Sequence, residues 1–278
     1  MKRACVIGWP IEHSRSPLIH GYWLKQYGIA GSYTKEAVPP EDVAEFLRSL
    51  DARGLAGCNV TVPHKEAAYA IADEREPSAR AVQAANTLWL EGGKLHAANT
   101  DTYGFMTYLD HVVPTWKAHD GPVCVLGAGG AARAIVYGFL EAGVHEVRIF
   151  NRTRARAEQL ADAFGPRVKV FDWLARNEGA REACVLVNTT AAGLKGQGAL
   201  DMDLAGFNPE CVVADIVYVP LETELLAQAR TSGLRTVDGL GMLLHQAVPG
   251  FERWFGVRPQ VTDALRDLVI ADIEGRRC

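Results

Sequence analysis

The sequence predicts an α/β protein built around an open, mainly parallel sheet. Residues 123–126 form a short apolar run typical of a buried strand, a glycine-rich turn follows at once, and residues 131–141 have the composition of a helix. Apolar strand-like runs and helical stretches then alternate regularly from residue 121 to about 237, which is typical of βαβ units. A chain of 278 residues is also long enough to form two domains.

The glycine spacing in that turn is typical of a dinucleotide-binding loop. Gly127, Gly129 and Ala132 fit the pattern G-x-G-x-x-G/A, with a predicted strand before it and a predicted helix after it. The first glycine permits a tight turn and the second lets the backbone approach a pyrophosphate, while the free N–H groups at the helix start point at the phosphates. The alternative interpretation is a glycine turn that only joins a strand to a helix.

The residues after the next predicted strand, 145–150, indicate which nucleotide binds. The segment 151–156 is rich in arginine, and no carboxylate occurs before Glu158. Proteins that bind NAD usually place Asp or Glu here to hold the ribose 2′-hydroxyl, whereas guanidinium groups bind phosphate well. The sequence therefore predicts NADP. A solvated basic turn is the alternative, although the dipole of the following helix disfavours cations there.

Composition excludes several classes of protein. A net charge of −4 argues against general electrostatic attraction to nucleic acid or to an anionic membrane. No apolar run suits a membrane span or a signal peptide, so we expect a cytoplasmic protein. The 6 cysteines form no C-x-x-C pair and mostly lie in apolar strand-like runs, as reduced core thiols do. The histidines show no metal-ligand spacing, so no metal site is expected.

Near the start of the chain, two serines stand between a predicted strand at 4–7 and a predicted helix. Ser14 and Ser16 flank Arg15, and Pro17 is well placed in the first turn of a helix that runs to about Tyr27. Either serine could cap the helix. Two hydroxyls near a helix start could also hold a carboxylate, and the residues alone leave both interpretations open.

The next predicted elements are a strand at 31–38, a helix at 41–50 and an extended segment at 57–62. In that segment Val60 and Val62 face one way and Asn59 and Thr61 the other. Lys65 then opens a helix that continues to about Ala72. The helix dipole disfavours a cation at this position, which would suit a lysine that transfers protons. An exposed lysine is the simpler interpretation when nothing else is considered.

Residues 85–99 resemble a β-hairpin around the glycine pair at 92–93. Asp101 follows the hairpin. It could cap a helix over residues 103–109 or pair with a catalytic lysine, and capping is the default interpretation.

Three further strands are predicted at 184–188, 211–217 and 233–237. In open α/β sheets ligands lie beyond the carboxyl ends of the strands, so the polar residues at these ends should line the same crevice as the glycine loop. A helix is predicted from about Glu222, and an amphipathic helix over 261–274.

Taken in order, these motifs resemble those of the shikimate dehydrogenase family over nearly the whole chain. Two positions depart from the family pattern: Gly21 stands where Asn is common, and Thr102-Tyr103 stand where Gly commonly follows the Asn-Thr-Asp motif. The segments that carry the resemblance are 11–17 (IEHSRSP), 59–65 (NVTVPHK), 99–101 (NTD), 127–131 (GAGGA), 151–153 (NRT), 215–218 (DIVY) and 239–246 (GLGMLLHQ).

The resemblance implies two α/β domains. Residues 1–102 would form a mainly parallel-sheet substrate domain that C-terminal helices in 238–278 complete, and residues 103–237 would form an inserted Rossmann-like NADP domain. Lys65 and Asp101 would be the catalytic pair. The implied substrate-binding residues are Ser14, Ser16, Asn59, Thr61, Asn86, Tyr218 and Gln246, of which the two serines would bind the carboxylate. The implied cofactor-binding residues are Gly127, Ala128, Gly129, Gly130 and Ala131 at the pyrophosphate, Asn151, Arg152, Thr153 and Arg156 at the 2′-phosphate, and Ile216, Gly239 and Met242 at the nicotinamide side.

The activity that the resemblance implies is the reversible NADPH-dependent reduction of 3-dehydroshikimate to shikimate, a step of aromatic amino-acid biosynthesis. Lys65 would supply or relay the proton, and Asp101 would hydrogen-bond the reacting oxygen and hold Lys65. The partners would be small molecules, with the protein a monomer or a homodimer. One alternative is a quinate/shikimate dehydrogenase. Quinate carries an extra hydroxyl at the carboxylate-bearing carbon, so the region around Ser14, Ser16 and Tyr218 would discriminate between the two substrates. Another is a non-catalytic NADP-binding regulator, against which the retention of Lys65 and Asp101 argues.

Overall fold

The computed structural model describes residues 1–275, which form two compact units. The first unit comprises Met1–Tyr103 and the described residues from Leu244 onward, and the second comprises Gly104–Leu243. The chain therefore leaves the first unit once and returns to it once, as it does around an inserted domain. The boundaries predicted from the sequence are 102/103 and 237/238. Residues 276–278 of the predicted C-terminal segment lie outside the described residues.

The first unit contains a six-stranded mixed sheet in the order β2-β1-β3-β5-β6-β4. Strand β1 is parallel to β2 and β3, β5 is antiparallel to β3 and β6, and β4 is parallel to β6. The strands are β1 (Lys2–Gly8), β2 (Gly31–Ala37), β3 (Gly57–Val60), β4 (Glu74–Arg75), β5 (Thr87–Glu91) and β6 (Lys94–Ala98). The helices are α1 (Ser16–Gln26), α2 (Val43–Arg48), α3 (Lys65–Ile71), α4 (Pro77–Val82) and, at the C-terminal end, α11 (Asp263–Ile273).

Alternation along β1 and β3 explains how this sheet is buried. Cys5 and Ile7 pack with Cys58 and Val60 in one hydrophobic cluster, to which α2 and α3 also contribute. The intervening Asn59 is also buried, at 5% exposure, and the strand register sets it opposite Thr87 on β5. A polar residue is thereby fixed in the sheet interior next to the hairpin.

Two predicted elements of this unit differ from the structure. The segment predicted to be extended to residue 62 ends as a strand at Val60, and Val62 is 70% exposed. Pro63 follows and lacks the N–H that a sheet ladder needs, which explains the early end of the strand. The helix predicted at 41–50 is a 3₁₀ turn, Pro40–Asp42, followed by the shorter α2.

The second unit contains a six-stranded sheet in the order β12-β11-β10-β7-β8-β9, in which all strands are parallel. This is a doubly wound order, in which the sequence of strands runs outward in opposite directions from the point between β7 and β10. The strands are β7 (Val123–Leu126), β8 (Val147–Phe150), β9 (Val168–Phe171), β10 (Val185–Asn188), β11 (Val212–Asp215) and β12 (Arg235–Val237). The helices are α6 (Gly130–Glu141), α7 (Arg154–Phe164), α8 (Arg176–Gly179) and α9 (Glu224–Thr231).

Two helices carry the chain between the units: α5 (Asp101–Val112) and α10 (Gly239–Phe255). Both boundaries therefore fall inside continuous helices, where no turn or proline marks them in the sequence. The α/β fold class with two sheets of mainly parallel strands, predicted from the sequence, is confirmed.

Candidate active site

The lysine and the aspartate of the predicted catalytic pair lie together in the first unit. Lys65 is the first residue of α3 and Asp101 is the first residue of α5. Lys65 Nζ donates to Asp101 Oδ2 over 2.6 Å, and the two side chains are 30% and 15% exposed. A helix start favours the carboxylate and disfavours the ammonium, so the ion pair offsets the unfavourable position of Lys65. A proton donor and a carboxylate are thus held in contact while both stay partly accessible.

Asn86 fixes the other oxygen of Asp101. Asn86 Nδ2 donates to Asp101 Oδ1 over 2.8 Å, and Asn86 Oδ1 accepts from the backbone N–H of Thr100 over 2.8 Å. The first N–H of α5, that of Asp101, donates to Asn99 Oδ1 over 3.0 Å. Asn99 therefore serves the start of the helix, and the carboxylate of Asp101 is left to pair with Lys65.

Asn59 and Thr61 lie on and just after β3. Asn59 Nδ2 donates to the backbone carbonyl of Asn86 over 3.0 Å and to Thr87 Oγ1 over 3.1 Å. Thr61 packs against Gly8, where an added Cβ would lie 2.6 Å from Thr61 Cγ2. The missing side chain at Gly8 is therefore what leaves room for Thr61 beside the end of β1.

Ser14 and Ser16 stand at the start of α1, as predicted. Ser14 Oγ accepts from the backbone N–H of Ser16 over 3.4 Å, and Ser16 is 7% exposed. The two serines therefore flank Arg15, the N-cap residue of α1, beside the N–H groups of the first helical turn, where an anion is stabilised. Gln246 lies on the part of α10 that belongs to the first unit, whereas Tyr218 follows β11 in the second.

The glycine loop of the second unit has the backbone that its sequence predicts. Gly127 has φ +110°, and a Cβ there would lie 2.6 Å from Thr189 Oγ1. At Gly129 and Gly130 an added Cβ would meet no atom within 4 Å, so open space lies beside the start of α6. Bare backbone N–H groups facing open space at the start of a 12-residue helix fit a pyrophosphate.

A cavity of about 510 Å³ joins this loop to the arginine-rich segment. Of the residues predicted to hold the pyrophosphate and the 2′-phosphate, Gly130, Ala131, Thr153 and Arg156 lie outside its lining, as do the three predicted nicotinamide residues Ile216, Gly239 and Met242. The predicted residues that line it are Gly127, Ala128, Gly129, Asn151 and Arg152. The sequence did not point to Trp173 and Arg176, which also line it and whose positions follow no glycine or strand-end pattern.

The residues predicted for the nicotinamide side are close together in the second unit. A Cβ at Gly239 would lie 2.3 Å from the carbonyl oxygen of Ile216, so the start of α10 packs directly on the backbone after β11. Ile216 and Met242 both pack, partly buried, against the same core cluster. Glycine is required at 239 for this close approach.

Asp215 holds the segment after β11 in place from inside the protein. Its Oδ1 accepts from Asn188 Nδ2 and from the backbone N–H of Val217, both over 3.0 Å, and its Oδ2 accepts from Thr223 Oγ1 over 2.8 Å. The side chain is 2% exposed. Burial raises the pKa of this carboxyl from 3.8 to about 6, and the hydrogen bonds from Val217, Thr223 and Asn188 oppose the rise.

Among residues 1–275 no group of three or more His, Cys, Asp or Glu side chains is arranged to hold a metal ion. No helix in the described part of the chain combines the length and the apolar character of a membrane span.

The doubly wound second unit with its dinucleotide loop, together with the lysine–aspartate pair of the first unit, defines a two-domain α/β oxidoreductase. Three family models match the chain: the shikimate dehydrogenase substrate-binding domain over residues 6–88, shikimate/quinate 5-dehydrogenase over residues 111–204, and the shikimate 5′-dehydrogenase C-terminal domain over residues 239–269. The shikimate dehydrogenase (NADP⁺) of Azorhizobium caulinodans is 55% identical over 99% of this chain and 98% of its own. That of Brucella abortus is 55% identical over 98% of this chain and 95% of its own. The chain belongs to the shikimate dehydrogenase family.

Solved structures agree with this assignment. Shikimate dehydrogenase from Thermus thermophilus in complex with NADP(H) and shikimate superposes with a TM-score of 0.85 at 37% identity, over 96% of this chain and 100% of that chain. Quinate dehydrogenase from Corynebacterium glutamicum in complex with NAD superposes with a TM-score of 0.89 at 29% identity, over 97% of this chain and 99% of that chain. The fold is thus shared by enzymes of both specificities, and the side chains of the site have to distinguish them.

Asp215→Asn is expected to change the pH dependence of stability. Between the ordinary pKa of 3.8 and the folded value of about 6, the unfolded chain releases this proton and the folded chain keeps it. The contribution of Asp215 to the free energy of unfolding is therefore largest at low pH, and it falls by about 3 kcal/mol as pH rises through that window. An asparagine at this position stays neutral at every pH. Its amide oxygen can accept from Asn188 and Val217 as Oδ1 does, and its amide N–H can donate to the Thr223 hydroxyl.

The measurement is the free energy of unfolding of both proteins in urea from about pH 4 to about pH 7. The wild-type value minus the variant value should decrease across the series, which removes the contributions of all other carboxyl groups. A constant difference would show that Asp215 is ionised in the folded protein throughout.

Proposed function

We propose that this protein is an NADP-dependent dehydrogenase that interconverts shikimate and 3-dehydroshikimate. The observation that carries the proposal is the contact between Lys65 Nζ and Asp101 Oδ2, with Asn86 on the second carboxylate oxygen. A ketone reduction needs a group that supplies a proton to the carbonyl oxygen, and a positioned ammonium can do so. Relatives that share more than half of their residues with this chain are shikimate dehydrogenases that use NADP⁺.

Lys65 acts as the general acid in the direction of reduction. Its ammonium stabilises the negative charge that develops on the reacting oxygen and then supplies the proton. Asp101 holds the ammonium and accepts a hydrogen bond from the reacting oxygen when that oxygen is the hydroxyl of shikimate. Asn86 prevents the carboxylate from rotating away. In the direction of oxidation Lys65 takes the proton back.

The first unit would hold the substrate. Ser14 and Ser16 would bind the carboxylate at the start of α1, where the helix dipole and two hydroxyls favour an anion. Asn59, Thr61, Asn86 and Gln246, with Tyr218 of the second unit, would contact the hydroxyl groups or shape the pocket. We assign residues 1–102 with 238–278 to substrate binding and residues 103–237 to the cofactor.

The second unit would hold NADP. Bound NADPH supplies the hydride for the reduction. Gly127 to Ala131 would hold the pyrophosphate at the start of α6, and Asn151, Arg152, Thr153 and Arg156 the 2′-phosphate. The guanidinium of Arg152 beside the cavity supports NADP over NAD, because the segment that follows β8 lacks the carboxylate that NAD-binding proteins usually place there. The carboxylate of Asp201 also lines the cavity, where it pairs with Arg176. Ile216, Gly239 and Met242 would flank the nicotinamide.

A second candidate is a quinate/shikimate dehydrogenase. Its support is the TM-score of 0.89 with a quinate dehydrogenase and a family model that covers both substrates. Quinate carries an extra hydroxyl at the carboxylate-bearing carbon, so the environment of Ser14, Ser16 and Tyr218 would have to accept it.

An absorbance assay for the reduced nicotinamide tests both candidates. Purified protein is given shikimate or quinate, each with NADP⁺ or NAD⁺. We expect the rate of cofactor reduction with shikimate and NADP⁺ to exceed clearly the rates with the other three pairs. Comparable rates with quinate or with NAD⁺ would favour the second candidate. Binding of NADP⁺ without turnover of any pair would favour a non-catalytic regulator and reject the proposal.

The chain offers a matched pair of variants for the cofactor. Arg152→Ala removes a guanidinium that lines the cavity, whereas Arg154→Ala removes one that is bound to Glu158 on the surface of α7. Loss of a charge-assisted hydrogen bond to phosphate should raise KM for NADP⁺ by about tenfold or more in Arg152→Ala. KM for NADP⁺ should be unchanged in Arg154→Ala. Equal effects of the two variants would contradict the assignment of the 2′-phosphate site.

A further inference from the structure

A buried histidine in the first unit has no hydrogen-bond partner among the described residues. His20, on α1, is 0% exposed, and both of its ring nitrogens lack a partner. Burial lowers the pKa of this imidazole to about 3, so the ring is neutral, although the Asn59 side chain lies close enough to oppose part of the fall. Unpaired buried nitrogens are costly, and the sequence offers no reason for an imidazole at this place.

His20 instead makes a stacking contact with Tyr33. The two rings lie nearly parallel, at 10°, with centroids 4.0 Å apart. Three more rings surround the imidazole, with centroids 5.6 to 5.8 Å from its own: those of Trp23, Phe251 and Trp254. The rings of Trp23 and Phe251 also contact each other, with centroids 5.3 Å apart. This aromatic cluster fixes the plane of the Tyr33 ring on β2.

The hydroxyl of Tyr33 is directed at Asn59. Tyr33 is 8% exposed, and its Oη donates to Asn59 Oδ1 over 2.6 Å. Burial raises the pKa of Tyr33 well above its ordinary value, so the phenol keeps the proton that it donates. The nearby side chain of Ser16 opposes the rise in the pKa of this phenol.

Both side-chain N–H groups of Asn59 form hydrogen bonds inside the protein. They donate to the Asn86 carbonyl oxygen and to Thr87 Oγ1, while Tyr33 occupies one side of the amide oxygen. The amide therefore has one orientation, and it can offer a substrate hydroxyl only the remaining lone pair of Oδ1. Asn86, whose backbone Asn59 holds, is the residue that orients Asp101.

We propose that Tyr33 and His20 are positioning residues for the substrate site: His20 stacks on Tyr33, Tyr33 locks the amide of Asn59, and Asn59 fixes Asn86 beside Asp101. Tyr33 bonds directly to Asn59, and Ser16, another residue predicted to bind substrate, lies close to its phenol. The inference rests on the proposed function, because the chain of contacts ends at the pair assigned to proton transfer.

The test measures kcat and KM for shikimate and KM for NADP⁺ in Tyr33→Phe, Asn59→Ala and the double variant. Tyr33→Phe keeps the ring that stacks on His20 and removes only the hydroxyl. The amide oxygen of Asn59 then loses a buried hydrogen bond, and kcat/KM for shikimate should fall by about tenfold. KM for NADP⁺ should not change. The double variant should be no worse than Asn59→Ala, because both changes break the same contact.

Tyr27→Phe is the matched control. Its hydroxyl accepts from the backbone N–H of Gln260 over 3.1 Å in the same unit, outside the chain of contacts that ends at Asp101. This variant should keep wild-type kcat/KM. His20→Phe supplies a neutral flat ring without nitrogens and should retain activity, whereas His20→Leu should resemble Tyr33→Phe.

The outcomes distinguish failure of this inference from failure of the proposed function. A wild-type protein that does not oxidise shikimate rejects both. An active wild type with unchanged kcat/KM in Tyr33→Phe, or with additive losses in the double variant, rejects the positioning role of Tyr33 and leaves the proposed function standing. Loss of activity in His20→Phe at an unchanged melting temperature would show that the ring nitrogens act, and would overturn the stacking role.

Discussion

The ion pair between Lys65 and Asp101 is the constraint on which the first unit depends. Each residue is the first of its helix, and a lysine there is opposed by the helix dipole. The two charges are partly withdrawn from water, so each would be costly without the other. The pair forms only if α3 and α5 begin within hydrogen-bond distance of one another, and the strands before these helices fix where they begin. Strand β3 leads to α3, and the β5–β6 hairpin leads to α5.

Polar residues in the interior of the unit serve this geometry. Register sets Asn59 opposite Thr87, next to Asn86, and Asn86 reaches the carboxylate of Asp101. Asp215 has the corresponding place in the second unit, where its buried carboxylate holds the backbone beyond β11 against Asn188 and Thr223. In both units a buried polar side chain, satisfied on every side, fixes the chain at the carboxyl end of a strand.

Elements with a local signal were predictable from the sequence. The helix predicted at 131–141 is observed at Gly130–Glu141, because a glycine turn precedes it and Gly143, at φ +87°, follows its end. The hairpin around residues 92–93 is likewise observed. Contacts between distant segments were not predictable in this way. Residue patterns alone favoured an exposed Lys65 and a capping Asp101, and only the family resemblance suggested that they pair.

Tyr33 and His20 gave no signal at all, because a strand tyrosine and a helix histidine are ordinary core residues until their partners are known. The short strand β4 and the early end of β3 were missed for a related reason. Two residues of strand are too few for a periodic pattern. The end of β3 depends on backbone hydrogen bonds to neighbouring strands, which Pro63 cannot extend and which a period-two pattern does not contain.

The central claim is that Lys65 transfers a proton and does not merely bind substrate. Its most direct test is Lys65→Ala, with kcat measured beside the dissociation constant for shikimate by calorimetry. Lys94→Ala, which removes a lysine from an exposed ion pair with Glu74 in the same unit, is the control. We predict that kcat falls by about a hundredfold or more in Lys65→Ala, the size of a general acid–base contribution, while shikimate binds nearly as well as to the wild type. Unchanged turnover, or a loss that lies wholly in shikimate binding, would contradict the account.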